Sequence, residues 1–429
     1  MAGADAVVVG AGAAGIAAAK RLHDAGLDVL LVEAGNRIGG RAHSIALPAA
    51  DPQAMVVDLG CGWLHSARRN PWTDLAESYG FGIERAAANW RSQWRDLGFP
   101  PDEQDAYHQA WQRWQDAAHA ALDGPDQPLS AFIALNDPWR PLIDAVSGYA
   151  NGAPLAQVSL HDWAAYEDAA TDDNWALPAG YGTLVARHAA EVPIRLDTIV
   201  TRIDHTASTI RIETNRGTIE TRRVIVCVPT TTLASERIVF DPPLPDKHEA
   251  ASALPLGLAD KLFLRVDGVA LPKNGHLVGN PHSACTASYR LGQFGWPVIE
   301  CFFGGDCAQA LEDAGDGAAA DFAIDELTAL LGNDWRAHLT PVAATRWRAE
   351  PHIHGSYSHA RIGAAPQRAI LAAPVEDRLF FAGEACSTHD FSTAHGAFET
   401  GIAAAEAVIA EFAPQAGLPR PLLSPRSEA

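Results

Sequence analysis

The chain predicts an α/β fold in which a parallel sheet with flanking helices is joined to a second, mixed α+β unit. Three observations predict it. The first forty residues read as strand, glycine turn, helix, strand and acid; strand-like alternation begins after Pro178; and a last strand leads again through glycine into a helix. A length of 429 residues leaves room for two or more domains. Lys and Arg number 32 against 52 Asp and Glu, a formal charge of −20. That balance repels phosphate backbones and anionic lipid, so neither nucleic acid nor a membrane is an expected partner, while cationic small molecules are.

The opening segment is justified residue by residue. Ala6 to Val9 is a short apolar strand, Gly10-Ala11-Gly12-Ala13-Ala14-Gly15 follows at once, and Ile16 to Ala25 has Ile16, Ala19 and Leu22 at helical spacing before Gly26. Val29 to Val32 is a second buried strand ending in Glu33. A pyrophosphate must approach backbone N–H groups at a helix N-terminus, where side chains at Gly10, Gly12 and Gly15 would obstruct it. Glu33 falls where an acid accepts from ribose hydroxyls. With strand, helix and acid all in place, the glycines predict a dinucleotide site rather than a tight turn alone.

Further along, 86–122 has helical period, with Tyr107, Trp111, Trp114 and Ala118 on one face. This stripe is expected to pack into a core or domain interface in preference to lining a pocket. Ile194 to Leu196, Val200 to Ile203, Thr209 to Thr214 and Thr218 to Val228 read as strands, with Asn215-Arg216-Gly217 as a hairpin turn. In Lys261 to Val266, Leu262, Leu264 and Val266 face one way and Lys261, Phe263 and Arg265 the other. Asp321 to Leu331 predicts a helix, Leu379 to Ala382 a buried strand, and Gly396 to Phe412 the final helix. Residues 413–429 are rich in Pro and polar groups and read as a flexible tail. Six cysteines without a CxxC pair fit a reduced compartment, and the first residues carry no signal-peptide pattern, so a cytoplasmic location is expected.

The segment Glu33 to Arg41, with its second glycine pair between arginines, looks like the E-x-x-x-R-x-G-G-R extension of glutathione-reductase-like FAD proteins. Asp58 to Ser66 (DLGCGWLHS), Leu177 to Gly182 (LPAGYG), Trp347 to Tyr357 (WRAEPHIHGSY) and Phe381 to Gly401 (FAGEACSTHDFSTAHGAFETG) follow in an order that resembles the flavin-containing amine oxidase family over nearly the whole chain. His65 and the string Phe391 to Ala397 most resemble the polyamine oxidases. The resemblance implies a glutathione-reductase-like, Rossmann-type FAD-binding domain from 1–80, 176–232 and 370–412, and a substrate domain from 81–175 and 233–369. It implies FAD contacts from Gly10, Gly12, Ala14, Gly15, Glu33, Arg41, Gly60, Gly62, Trp63, Val200, Glu384, Thr393 and Ala394. Glu384 would meet the ribityl chain. Lys261 would hold a water against the flavin, with a salt-bridged strand lysine as the alternative reading. His65 would orient or deprotonate the amine, or else be a structural imidazole.

Two departures refine this. Where monoamine oxidases bond a cysteine to the flavin, the chain reads Gly355-Ser356-Tyr357, so FAD is expected to be non-covalent. Of the two tyrosines flanking substrate in those enzymes only Tyr357 has a counterpart, the other position being Thr393, which implies an extended aliphatic amine over an arylalkylamine. Dioxygen is the implied electron acceptor, with hydrogen peroxide as product. Glu167, Asp168, Asp172 and Asp173 could draw a polycation or form a solvated face. No HExxH or linked zinc pattern is present, so no metal is expected. Cys61 and Cys386 are assigned no chemistry. An amino-acid oxidase would need an arginine aimed at a carboxylate, with Arg95 and Arg290 as candidates, and an FAD-bearing binding protein is the alternative of another class.

Overall fold

The computed structural model describes residues 4–47, 55–86, 88–90 and 92–412; the expected tail, 413–429, lies outside the described residues. Ile194–Arg195, Val29–Val32, Ala4–Val9, the C-terminal half of Gly217–Val226 and Leu379–Phe381 lie side by side as a parallel sheet. In the strand Ala4–Val9 the run Ala6 to Val9 is apolar and buried because both faces are covered there. Ala6 and Val8 point into a cluster built by helices, and Val7 and Val9 into a second cluster on the opposite face. The N-terminal half of Gly217–Val226 runs past that sheet and pairs antiparallel with Ile210–Thr214, which pairs with Val200–Asp204. Thr214 faces Gly217, so the expected hairpin has a two-residue loop. Val239–Asp241 joins this sheet beside Val200–Asp204, beyond the sequence boundary at 232.

The helix after the glycine turn spans Ala13–Asp24 and packs against the final helix, Ala394–Phe412. The two backbones touch at Gly401, where a Cβ would stand 2.2 Å from the Ala14 carbonyl oxygen. The long helical region expected over 86–122 is shorter, Pro101–His119, since Pro100 and Pro101 set its start.

The second sheet orders Gly275–Val278, Ser288–Leu291, Val298–Gly304, Ala259–Val266 and Leu339–Ala344, antiparallel throughout. Leu262, Leu264, Leu277, Tyr289, Ile299, Cys301 and Phe303 share one face and pack on Gly305–Ala314 and Ala318–Leu331. The register places Lys261, Phe302, Glu300, Ser288, Arg290 and His276 on the other face. Cys285 and Cys307 form a disulfide, which corrects the expectation of reduced cysteines throughout. Their separation of 22 residues resembles no motif, and only the fold brings them together. Among the described residues no helix is long and apolar enough to cross a membrane.

Candidate active site

A cavity of about 1070 Å³ lies between the carboxyl ends of the parallel strands and the polar face of the second sheet. Every residue expected to touch FAD or substrate lines it except Gly15. The three glycines of the turn do three different things. Gly10 has φ +102°, and a Cβ there would meet the Cys227 carbonyl oxygen at 2.6 Å. Gly12 ends the turn as the N-cap of Ala13–Asp24 without any side-chain cap, and space around it is open for 4 Å. Gly15 is a correction to its expected role: it faces the strand, 1.9 Å from the Gly10 carbonyl oxygen to where its Cβ would be, and lets the helix lie close. The uncapped first turn and the open space at Gly12 form a cradle for a diphosphate.

Glu33 stands at the adjoining strand end, its carboxylate accepting from the Ala11 N–H at 2.7 Å and the Gly35 N–H at 2.8 Å. Arg41 donates to the Ser356 carbonyl and, at 2.9 Å, to Glu384. The Glu384 carboxylate also accepts from the Ser358 N–H at 3.2 Å, the Ser358 hydroxyl at 2.6 Å and the Ser392 N–H at 2.9 Å. Burial alone would raise its pKa, but Arg41, Ser358 and Arg368 outweigh burial and hold it below the ordinary carboxylate range. Glu384 therefore lines the cavity with its acceptors spent on the protein, tying three loops together. Thr393 is likewise committed: its hydroxyl donates to the Asp390 carbonyl at 2.6 Å and accepts from the Gly396 N–H at 3.0 Å, capping the last helix. Ala394 opens that helix at the cavity wall, so a second helix N-terminus faces the same space. Gly60 and Gly62 carry the intervening loop. A Cβ at Gly60 would strike the Arg41 carbonyl oxygen, and one at Gly62 would stand 3.5 Å from Lys261 Nζ. Val200 begins its strand on the same wall.

At the far side, Lys261 Nζ donates to the Asp58 carbonyl at 2.9 Å and lies 3.5 Å from Glu300. Lys261 is ion-paired, as its structural reading has it, and it also lines the cavity. Burial would raise Glu300, but Arg290 and Lys261 prevail and lower its pKa.

His65 is half-buried and joins the wall next to Trp90, ring centroids 6.0 Å apart. Its Nδ1 lies 2.6 Å from Asn174 Oδ1, while Asn174 Nδ2 donates to the Asp172 carbonyl at 3.1 Å. The fixed amide makes Oδ1 the acceptor, so Nδ1 carries the proton and Nε2 presents a lone pair. Burial pushes the His65 pKa down to about 4, and Lys261 and His395 act the same way, against the Asn174 bond. The next residue, Ser66, has φ +48°, a left-handed conformation in a non-glycine that aims this loop.

Tyr357 contributes a ring to the wall, but its hydroxyl donates to the Tyr149 carbonyl and burial raises its pKa. It is thus placed as an aromatic wall, not a proton carrier. The stripe on Pro101–His119 is divided: Ala118 is core, whereas Tyr107, Trp111 and Trp114 also line the cavity, which corrects the purely structural expectation. Among the described residues His389, Asp390 and Glu399 converge, but both oxygens of Asp390 accept from Arg69, at 2.7 and 2.6 Å. Asn174, Glu300, Trp90 and Tyr149 were not singled out from the sequence; none lies in a motif with a spacing rule.

This fold and cavity define a dinucleotide-dependent oxidoreductase of the FAD-binding kind. The model of flavin-containing amine oxidoreductases matches residues 128–409, and that of the NAD(P)-binding Rossmann-like domain matches 8–79. The chain belongs to the flavin-containing amine oxidoreductase family and is a flavin-dependent amine oxidase. Polyamine oxidase 2 of Arabidopsis thaliana is 30% identical over 93% of this chain and 87% of its own length. Polyamine oxidase 4 of Oryza sativa subsp. japonica is 29% identical over 96% and 90%. Among solved structures, cyclohexylamine oxidase from Brevibacterium oxydans IH-35A superposes with TM-score 0.77 at 21% identity, covering 96% of this chain and 99% of that one. Putrescine oxidase bound to putrescine gives 0.73 at 19%, covering 95% and 99%. At such identities the likeness is one of fold. The cofactor is FAD, held without a covalent bond; Ser356 Oγ is occupied with both the N–H and the carbonyl of Ala259, each at 2.8 Å.

Proposed function

We propose that the chain carries out oxidative deamination of an aliphatic amine or polyamine, releasing a carbonyl product and an amine or ammonia, with dioxygen as final acceptor and hydrogen peroxide as product. The observation that carries the reading is His65, its Nδ1 held by Asn174, on the wall of the cavity that Lys261 and the two helix N-termini share. Bound FAD supplies the acceptor for a hydride from the substrate α-carbon.

The chain's own residues divide the remaining work. A base of pKa about 4 cannot take a proton from an alkylammonium near 10 without a cost of about 8 kcal/mol. His65 therefore orients the amine, accepting a hydrogen bond from its N–H, and the substrate loses its proton to solvent. Tyr357, Trp63, Trp90 and Trp111 wall off water and suit an aliphatic chain or a distal ammonium over a ring face. Lys261 keeps a fixed charge at the wall for the return of electrons to dioxygen. Gly12, Ala13 and Ala14 would hold the diphosphate, Glu33 the ribose, and the Ala394 amide the far end of the cofactor.

The test is an anaerobic mixing series with alkylamines, diamines and longer polyamines, following loss of the flavin absorbance. Aliphatic amines should bleach it, faster as pH rises through the ionisation of bound substrate. Retention of the oxidised spectrum with every amine would remove the proposal.

A further inference from the structure

We infer that Arg290 and Glu300 are positioning residues for the redox step: Arg290 takes up the Glu300 carboxylate, so that the Lys261 charge stays uncompensated at the wall of the flavin cavity. The inference rests on the amine-oxidase reading above. Three neighbouring strands build the group. Glu300 stands in Val298–Gly304, Arg290 lies directly across from it in Ser288–Leu291, and Lys261 in Ala259–Val266 is paired with Phe302, two positions along. Alternation puts the three side chains on the cavity face, and each is less than a tenth exposed. Their separations are unequal. Arg290 Nη2 donates to Glu300 at 2.5 Å, whereas Lys261 Nζ lies 3.5 Å from that carboxylate and donates instead to the Asp58 carbonyl at 2.9 Å. Arg290 also outweighs Lys261 in keeping Glu300 ionised against burial.

Among the described residues Glu300 is the one carboxylate within ion-pairing distance of either cation. The Asp58 carboxylate is engaged elsewhere, accepting from the Tyr181 N–H at 2.9 Å and the Gly182 N–H at 3.3 Å. Two cations therefore share one anion, and one positive charge is left over in a wall where water screens it little. A lysine and a glutamate alone would cancel. Arg290 prevents this, and stability does not explain its presence. Trp63 covers the guanidinium at 4.5 Å from the ring centroid, and Nε and Nη1 are buried with no hydrogen-bond partner among the described residues. Unsatisfied buried donors cost stability, and a buried ion pair by itself returns little. The Lys261 charge reaches the reaction space, since after burial and His395 it is a further influence that lowers the His65 pKa.

Reduction adds negative charge to the flavin ring, so the potential of the bound cofactor reads the net charge of this wall. The holoenzyme is equilibrated with a redox dye, without amine or dioxygen, as wild type, Arg290→Met, Arg290→Lys and the double variant Arg290→Met/Glu300→Gln. Arg290→Met leaves Glu300 to Lys261 alone, and the two-electron equilibrium should shift about tenfold toward oxidised flavin, about 30 mV lower. Arg290→Lys keeps the charge and should stay within about threefold of the wild type. The double variant leaves Lys261 by itself with the net charge of the wild type, and should also return to within about threefold. If the pair serves only as support, the double variant, which loses both partners, departs at least as far as Arg290→Met. That order, or an unchanged potential in Arg290→Met, overturns the inference. Should Arg290→Met fail to fold, Glu300→Gln tests the opposite sign: it should move the equilibrium about tenfold toward reduced flavin, and a shift toward oxidised flavin overturns the inference. Neither amine nor dioxygen enters the measurement, so the two readings fail separately. Flavin that no amine reduces still reports the charge, and flavin that amines reduce can still be indifferent to Arg290.

Discussion

Asn174 fixes the orientation of His65 through one hydrogen bond, while burial, against that bond, favours the neutral imidazole. Replacing Asn174 by Asp puts a carboxylate 2.6 Å from Nδ1, which favours the imidazolium and raises the His65 pKa from about 4. A protonated Nε2 cannot accept from the amine, so the acid limb of the flavin-reduction rate should move to higher pH in Asn174→Asp. An acid limb that stays where the wild type has it would leave His65 with a purely structural role. Tyr357 and Thr393 teach the complementary lesson. Both were legible as positions from their motifs, but what their hydroxyls do depends on the Tyr149 carbonyl and the Gly396 N–H, partners that no spacing in the chain reveals.

Glycine substitutions separate packing from binding in the opening strand–turn–helix unit. Gly15→Ala would drive a methyl into the Gly10 carbonyl and should cost about 1–3 kcal/mol of apoprotein stability, seen as a lowered Tm. Gly12→Ala meets nothing within 4 Å, so the apoprotein should melt normally while FAD affinity falls, because the methyl fills the diphosphate cradle. Equal melting losses in both variants would contradict this division. The unit was readable because strand, glycines and acid are contiguous. The second sheet was mostly not: Gly275–Val278 and Ser288–Leu291 are four residues each, and His276, Ser288 and Arg290 interrupt their apolar pattern. Those interruptions are the cavity face itself. In Ala259–Val266, which is longer and buried on both sides, the two faces were legible from alternation alone.

Across the whole molecule, buried histidines set the response to acid. Burial pushes His188, His276 and His359 down to about 4. Between the unfolded pKa near 6.5 and that value the unfolded chain takes up protons that the native one refuses, so stability falls as pH falls. Asp260 acts oppositely. Burial, with Glu312 beside it, raises its pKa to about 7, so below that pH the native state binds a proton that the unfolded chain does not, and stability rises as pH falls. With His65 counted, four groups against one leave a net loss, and Tm should drop by roughly 5 °C between pH 7 and pH 5. A flat Tm across that interval would show that the histidines are hydrated.

The contact of Gly401 with Ala14 sets an order of events during synthesis. The turn at Gly10–Gly15 is made well before the helix that seals it, with the whole second sheet synthesised in between. Until that helix docks the nucleotide bed has only one of its two walls, so FAD uptake should wait for it.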